Sequence, residues 1–541
     1  MSADAIQFVT GEKGDDFMKM LPGFILENWY LIFIYAFLVF LLAKIYDKAN
    51  STLKLMEASP KKYTFSFLII LLAGGITVLA IRGGGQKKPL NIIHASEMTD
   101  VSNMAVLLNS PFTVIKTLKK KCLPDIHYFP EEQLSDCDKG VHMPANNAQF
   151  RKQNVVVIIV ESLSRNYLSY FKGKGKTPFL DSLFSQSLVF ENGFANAKES
   201  IQGIPAVLAS IPSLQDDPFI FSNYSANKVT SFATLLGNEG YKSYFFHGGG
   251  NGTMGFNSFS KLSGFDYYYG RDEYNNDADY DGNWGIWDEP FLQQMGKELT
   301  AVKQPFFASV FTLNTHHPFT VPAKYQERFK QEGHPILSCV QYADYSLKRF
   351  FESIKDKAWF KNTLFIITAD HTGPKADEGN AEVLDDYRIP IVFYKADGSL
   401  KGMDSRIANQ IDILPSAMHL MGYNKPFFSQ GKNLFSKECS NFAVNYRSGV
   451  YQFIDSTYCY QFDGQNRIGF YNWKTDKAFT SNLNTDKFPK EIEKSEMALK
   501  RFIQVFNGSM INNRMVFNPT QARATRRLAQ IDKPESKSSV E

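Results

Sequence analysis

Two apolar patterns divide the 541-residue chain. Residues 29–43, WYLIFIYAFLVFLLA, and 63–81, YTFSFLIILLAGGITVLAI, carry no charge, and a helix of about 20 such residues crosses the ~30 Å hydrocarbon core of a bilayer. Both are expected to be transmembrane helices. Ile45 and Tyr46 extend the first, Lys44 snorkels, and Trp29 and Tyr30 anchor it at the interface. From about residue 150 the pattern becomes strand-length apolar runs separated by longer amphipathic stretches: VVVIIV from 155, SLVF from 187, YKSYFF from 241, FFASVFTL from 306, TLFIITA from 363 and PIVFY from 390. Runs without polar alternation are the mark of strands covered on both faces. The pattern therefore predicts an α/β domain with a mostly parallel central sheet flanked by helices, preceded by two transmembrane helices. The expected segments are 1–28 as an external N-terminal segment, 29–81 as two spans with a cytoplasmic loop, 82–149 as a linker and juxtamembrane arm, 150–515 as the main extracytoplasmic domain and 516–541 as a polar tail.

Charge sets the orientation. The loop between the spans carries Lys44, Lys48, Lys54, Lys61 and Lys62, whereas residues 1–28 hold Lys13 and Lys19 against five acids, so the loop is expected in the cytoplasm. Everything after Ile81 then lies outside the inner (cytoplasmic) membrane of a multi-pass protein. A formal net charge of +4 and no basic stripe interleaved with aromatics exclude nucleic acid as the natural partner. Of five cysteines, Cys122 with Cys137 and Cys439 with Cys459 are spaced for local loops, leaving Cys339 over, but spacing does not set connectivity.

Candidate chemistry collects where the apolar runs end. VVVIIV runs directly into Glu161, TLFIITA into Asp370 and His371, and FFASVFTL is followed by His316 and His317. In an open parallel sheet the carboxyl ends of strands form one ligand-binding rim, and carboxylates with an imidazole suit manganese, magnesium or zinc. Each residue alone reads as a strand-end cap or core histidine; together they read as a metal site. In NAKESIQGIPAVLASIPSL, Ser200 precedes a small-residue helical stretch and is expected at its N-cap, where the helix N-terminus favours a phosphate or sulfate. A metal would activate its hydroxyl as a nucleophile.

Through VESLSRNYL, TPFLDSL, ESIQGIPAVLASIPSL, TLNTHHPF, TADHTG, YRIPIVFY and DILPSAMHLMG, in that order over about residues 150–435, the chain resembles the lipoteichoic acid synthase-like, sulfatase-like branch of the alkaline phosphatase superfamily. The resemblance implies one divalent metal, manganese first with magnesium or zinc as alternatives, held by Glu161, Ser200, Asp370 and His371. It makes Ser200 the nucleophile and His316 the substrate-facing residue that assists the leaving group, with His317 beside it. It departs from that branch in three ways: a serine stands where a threonine is typical, two spans where four or five are usual, and FHGGGNGTMGFNSF lacks the tryptophan and arginine that meet glycerol phosphate there. His247 and Asn251 are left as the substrate contacts in that segment.

The implied activity is transfer of a phosphoglycerol-like headgroup from a phospholipid donor to an envelope glycan or lipid acceptor through a phosphoryl-serine. Phosphoethanolamine transfer, and phosphodiester or sulfuric ester hydrolysis, are the alternatives within the superfamily; a non-catalytic envelope protein is the alternative outside it. Formylglycine activation is excluded, because Ser200 is followed by IQGIPA and not by x-P-x-R.

Overall fold

The computed structural model describes residues 29–52, 59–85, 89–118, 120–143, 149–330, 332–376, 382–437, 439–483 and 487–518. The expected external segment 1–28 and all but the first residues of the expected tail lie outside them. The described residues form two compact units, one of residues up to 92 together with 108–120, the other of 93–107 and everything from 121 onward.

In the first unit, helix α1 spans Trp29–Thr52 and α2 spans Pro60–Arg82. Helix α2 starts where the Ser59 side chain accepts from Lys62 N–H, with Pro60 in the first turn, and stops at Gly83, whose φ of 85° only glycine adopts without strain. Its 23 residues, none buried, run about 34 Å. Among the described residues α2 alone is long and apolar enough to cross a membrane. Helix α1 is as long, but its second half carries Lys44, Asp47 and Lys48.

The second unit is built on an eight-stranded sheet of β1 (Asn154–Val160), β2 (Leu188–Phe194), β3 (Lys242–His247), β4 (Tyr267–Tyr269), β5 (Phe306–Phe311), β6 (Thr363–Ala369), β7 (Ile391–Lys395) and β8 (Gly402–Asn409), in the order β4-β3-β5-β1-β6-β7-β2-β8. Only β7 runs against its neighbours. All six predicted strands are present, and β1, β5 and β6 are buried at every position. Helices of this unit include α3 (Ser200–Ala209) and α4 (Asp288–Ala301). The two strands the pattern missed, β4 and β8, are the edges; β8 reads GMDSRIAN and is mostly open along its first five residues.

A four-stranded antiparallel meander, β9 (Ala443–Arg447), β10 (Val450–Ile454), β11 (Tyr458–Phe462) and β12 (Arg467–Asn472), was also absent from the apolar pattern. Ala443, Ile454, Cys459 and Trp473 join it to the main sheet through Phe194 and Ile407 in one buried cluster. The stretch expected as a linker is largely part of this unit. Ser96 donates to the Ser258 carbonyl at 2.7 Å, Val141–His142 pairs with Phe427–Phe428, and Cys137 forms a disulfide with Cys439. That bridge, over 302 residues, replaces both local pairings; Cys122, Cys339 and Cys459 form no disulfide, the last two being buried.

Candidate active site

Register brings the site together. Val160 pairs with Ala369, so β1 and β6 end level and deliver Glu161 and Asp370 side by side; Ile159 pairs with Phe311 and His247 with the same Phe311, so β5 and β3 end on the same rim. Beyond Glu161 the chain turns through Ser162 at φ 52°, a left-handed conformation that a non-glycine residue holds only under constraint. The constraint is visible: Ser162 N–H donates to Asp370 Oδ1 at 2.7 Å and its hydroxyl to Glu161 Oε1 at 2.6 Å. From the other side the Thr312 hydroxyl accepts from Glu161 N–H at 3.0 Å, and the Thr315 hydroxyl donates to the Glu161 carbonyl.

Ser200 is the first residue of α3, with Glu199 at the cap position, one residue earlier than expected. Its Oγ lies 3.2 Å from Glu161 Oε2 and 3.3 Å from His371 Nε2. The helix comes this close because residue 203 is glycine: a Cβ there would stand 2.2 Å from the Asp370 carbonyl oxygen.

Ligand atoms of Glu161, Asp370 and His371 all lie within 4.8 Å of one another. Glu161 and Asp370 are sealed from solvent, and His371 is nearly so. Burial first, then the Asp370 charge, push the Glu161 pKa well above the ordinary carboxylate range, with the Ser162 and Ser200 hydroxyls opposing. His371 Nδ1 sits 2.9 Å from the Thr372 carbonyl, which can only accept, so Nδ1 carries a hydrogen. In the neutral ring Nε2 then aims its lone pair at Asp370 Oδ2, 3.2 Å away, and Glu161 Oε1, 3.5 Å away. Asp370 Oδ2 accepts no hydrogen bond. Two buried carboxylates, a hydroxyl and an imidazole lone pair converging on one point fit a divalent cation; oxygen donors with one nitrogen suit manganese, magnesium or zinc.

A family model described as Sulfatase matches residues 153–423. The chain belongs to the sulfatase family. It is 25% identical over 402 residues to lipoteichoic acid synthase 2 of Bacillus subtilis (strain 168), which covers 68% of this chain and 59% of that protein. It is 27% identical over 396 residues to lipoteichoic acid synthase of Staphylococcus aureus (strain USA300), covering 66% and 58%. The chain thus spans under two thirds of the length of these relatives. Among solved structures it superposes on a protein in the alkaline phosphatase superfamily from Vibrio parahaemolyticus with a TM-score of 0.61 and 25% identity, over 70% of this chain and 91% of that one. The lipoteichoic acid synthase LtaP from Listeria monocytogenes gives 0.59 and 21%, over 70% and 97%. The sulfatase-family domain therefore has the alkaline phosphatase fold and is an enzyme by descent.

Within this family frame the remaining predicted residues sort by position. His316, half-buried, and His317, exposed, follow β5 on the rim, with His316 Nδ1 3.0 Å from the His317 carbonyl. His247, expected as a substrate contact, ends β3 inside the domain. Its ring is wholly enclosed, stacked on Phe311 and edge-on to Phe256, with Nδ1 3.2 Å from the Phe311 carbonyl, and burial lowers its pKa to about 4. Asn251 is partly exposed, but its amide is tied to the Glu273 carboxylate at 3.1 Å.

Three residues escaped sequence reasoning. Buried Gln410 donates to the Ala369 and Asp370 carbonyls and accepts from Asn196 N–H, coupling the end of β6 to the approach to Ser200. Lys198 donates to Thr372 Oγ1 at 2.7 Å and the Asp386 carbonyl at 2.8 Å. Trp284 packs on His316 with ring centroids 4.0 Å apart. None follows a conspicuous apolar run, the signal that exposed the others.

Proposed function

We propose that the chain is a membrane-anchored, metal-dependent phosphotransferase that moves a phosphoglycerol-like headgroup from a phospholipid to an envelope glycan or lipid acceptor. The observation that carries this reading is the Ser200 hydroxyl at the start of α3, within 3.3 Å of both Glu161 and His371. The relatives, named as lipoteichoic acid synthases, support the choice of phosphoglycerol over other headgroups.

Glu161, Asp370, His371 and Ser200 would hold one divalent cation, manganese first with magnesium or zinc as alternatives. When bound it supplies the positive charge that offsets the two buried carboxylates and favours the ionised serine. Ser200 Oγ attacks phosphorus, the bond from phosphorus to the diacylglycerol oxygen breaks, and His316 gives that oxygen its proton. The N–H groups opening α3 face the anionic headgroup. An acceptor hydroxyl, deprotonated by the same histidine, then takes the phosphoryl group from Ser200 and restores the starting state.

The donor is a lipid, so the domain belongs at a bilayer, with α2 and, before it, α1 in the inner membrane and the site outside. The Cys137–Cys439 disulfide supports an oxidising, extracytoplasmic compartment. The test is to incubate the full-length protein with manganese and phosphatidylglycerol, measure diacylglycerol, and examine the acid-quenched protein by mass spectrometry. A glycerophosphoryl adduct on the Ser200 peptide, absent in Ser200→Ala, is expected. No diacylglycerol and no adduct with any of the three metals would overturn the reading.

A further inference from the structure

We infer that Trp284 is a positioning residue for His316, fixing the imidazole so that Nε2 is the atom that exchanges a proton with the leaving alcohol. This rests on the role given to His316 above. The indole stands against the His316 ring at 4.0 Å between centroids, tilted 55°. Its Nε1–H donates to the His317 carbonyl at 2.5 Å, and His316 Nδ1 lies 3.0 Å from the same oxygen. A carbonyl only accepts, so Nδ1 carries its hydrogen whether the ring is neutral or protonated. The proton that comes and goes is therefore on Nε2. One oxygen, both of whose lone pairs are used, thus ties the tryptophan and the histidine into a single unit.

The loop holding Trp284 is built to stay in place. Asp281 Oδ1 accepts from the backbone N–H groups of Asn283 and Trp284 at 2.8 Å and of Gly285 at 3.0 Å. Asp281 N–H donates to the Gly285 carbonyl, and Ile286 N–H to the Gly248 carbonyl just past β3. A Cβ at Gly285 would meet the Gly248 carbonyl at 2.2 Å and Leu313 Cδ1 at 2.6 Å, so the loop seats on the ends of β3 and β5 only because this residue is glycine. Yet the indole stays 37% exposed and is not part of the core. An anchored loop that spends its largest side chain on one rim histidine is organised around that histidine. The ring shields one face from water and stops rotation about χ2, while the shared carbonyl fixes the tautomer.

General acid assistance matters when the leaving group is a poor one and little when it is a good one, which gives a readout that a merely structural role would not move. The full-length protein with manganese is assayed on phosphatidylglycerol in mixed micelles, whose leaving group is an alkoxide, and on bis(p-nitrophenyl) phosphate, whose leaving group needs no proton. In His316→Ala the ratio of lipid to nitrophenyl kcat is expected to fall by roughly 10²-fold or more. In Trp284→Ala it is expected to fall in the same direction by roughly 10-fold, with KM for the lipid little changed; Trp284→Phe, which keeps a ring but loses the N–H, should lie between. If His316→Ala changes the ratio but Trp284→Ala leaves it at the wild-type value, or only raises KM, this inference fails and the reading of His316 stands. If His316→Ala itself leaves the ratio unchanged, the reading of His316 fails and this inference with it.

Discussion

Gly203 of α3 lies so close to Asp370 that a side chain between them has no room: its Cβ would stand 2.2 Å from the Asp370 carbonyl oxygen and 2.9 Å from its Cα. That backbone contact seats the helix that opens with Ser200 on the end of β6. Gly203→Ala must push the first turn of α3 outward, since backbone cannot yield as a flexible side chain would. Overpacking of this kind costs roughly 1–3 kcal/mol, and moving Ser200 by even an ångström costs about 10²-fold in rate. The expected outcome is a thermal midpoint a few degrees lower with kcat down by roughly 10²-fold. A variant with wild-type kcat would mean that the contact does not set the position of Ser200.

Ser200→Ala removes only one oxygen at the start of α3, so it opens no cavity. Its expected thermal midpoint is close to wild type, while turnover falls by roughly 10⁴-fold or more, as when a nucleophile is deleted elsewhere. Turnover on phosphatidylglycerol and melting curves on the same preparation check both halves. Turnover near wild type would remove Ser200 from the chemistry.

The two buried carboxylates give metal removal a stability readout as well as an activity one. Protein stripped with chelator should lose turnover and regain it with manganese. Its thermal midpoint should rise when manganese is added back, because a cation binds only the folded site. Asp370→Asn should abolish that rise. Full turnover after exhaustive chelation, with no metal by elemental analysis, would refute the site.

Asp288, at the start of α4, accepts from the N–H groups of Leu313 at 2.9 Å and Asn314 at 3.1 Å, and so holds the segment leading to His316. Burial raises its pKa to about 7. The folded state thus keeps a proton that the unfolded chain releases near pH 4. Its contribution to stability is full below about pH 4 and is lost as pH rises through about 7, by roughly 4 kcal/mol in all. Melts at pH 5, 6.5 and 8 should show stability falling less steeply in Asp288→Asn than in wild type. Parallel curves for the two proteins would show that Asp288 does not titrate in this window.

The same residues show what a sequence can reveal. Glu161 and Asp370 were legible because an acid directly after an unbroken apolar run has no burial partner within its own element. The six interior strands were legible because both faces are covered. The enclosure of His247 was not legible for the same reason: in a strand buried at nearly every position, no alternation distinguishes a terminal side chain facing the rim from one enclosed by Phe311 and Phe256. Gln410 carries no charge and acts through carbonyls of a distant strand, and Trp284 meets His316 only through the docking of two loops. The Cys137–Cys439 pair, separated by 302 residues, is set by tertiary packing alone. Edge strand β8 and the meander β9–β12 were hidden because half-exposed strands mix polar and apolar residues over short spans.

Topology decides whether the proposed donor lipid is within reach of Ser200. Five lysines flank or fill the stretch before α2, and under the positive-inside rule they support the proposed orientation, with that stretch in the cytoplasm and the chain after Arg82 outside. The Cys137–Cys439 bridge supports the same orientation, because disulfides persist outside the cytoplasm. In a Cys122→Ser background, a membrane-impermeant maleimide should label a cysteine at position 51 only after lysis. A cysteine at position 538 should be labelled in intact cells once any outer barrier is opened. Labelling of the Ser538→Cys protein solely after lysis would put Ser200 and its carboxylates in the cytoplasm. A headgroup in the outer leaflet and a glycan beyond it would then be out of reach, and transfer to an envelope acceptor would be untenable even with every site residue in place.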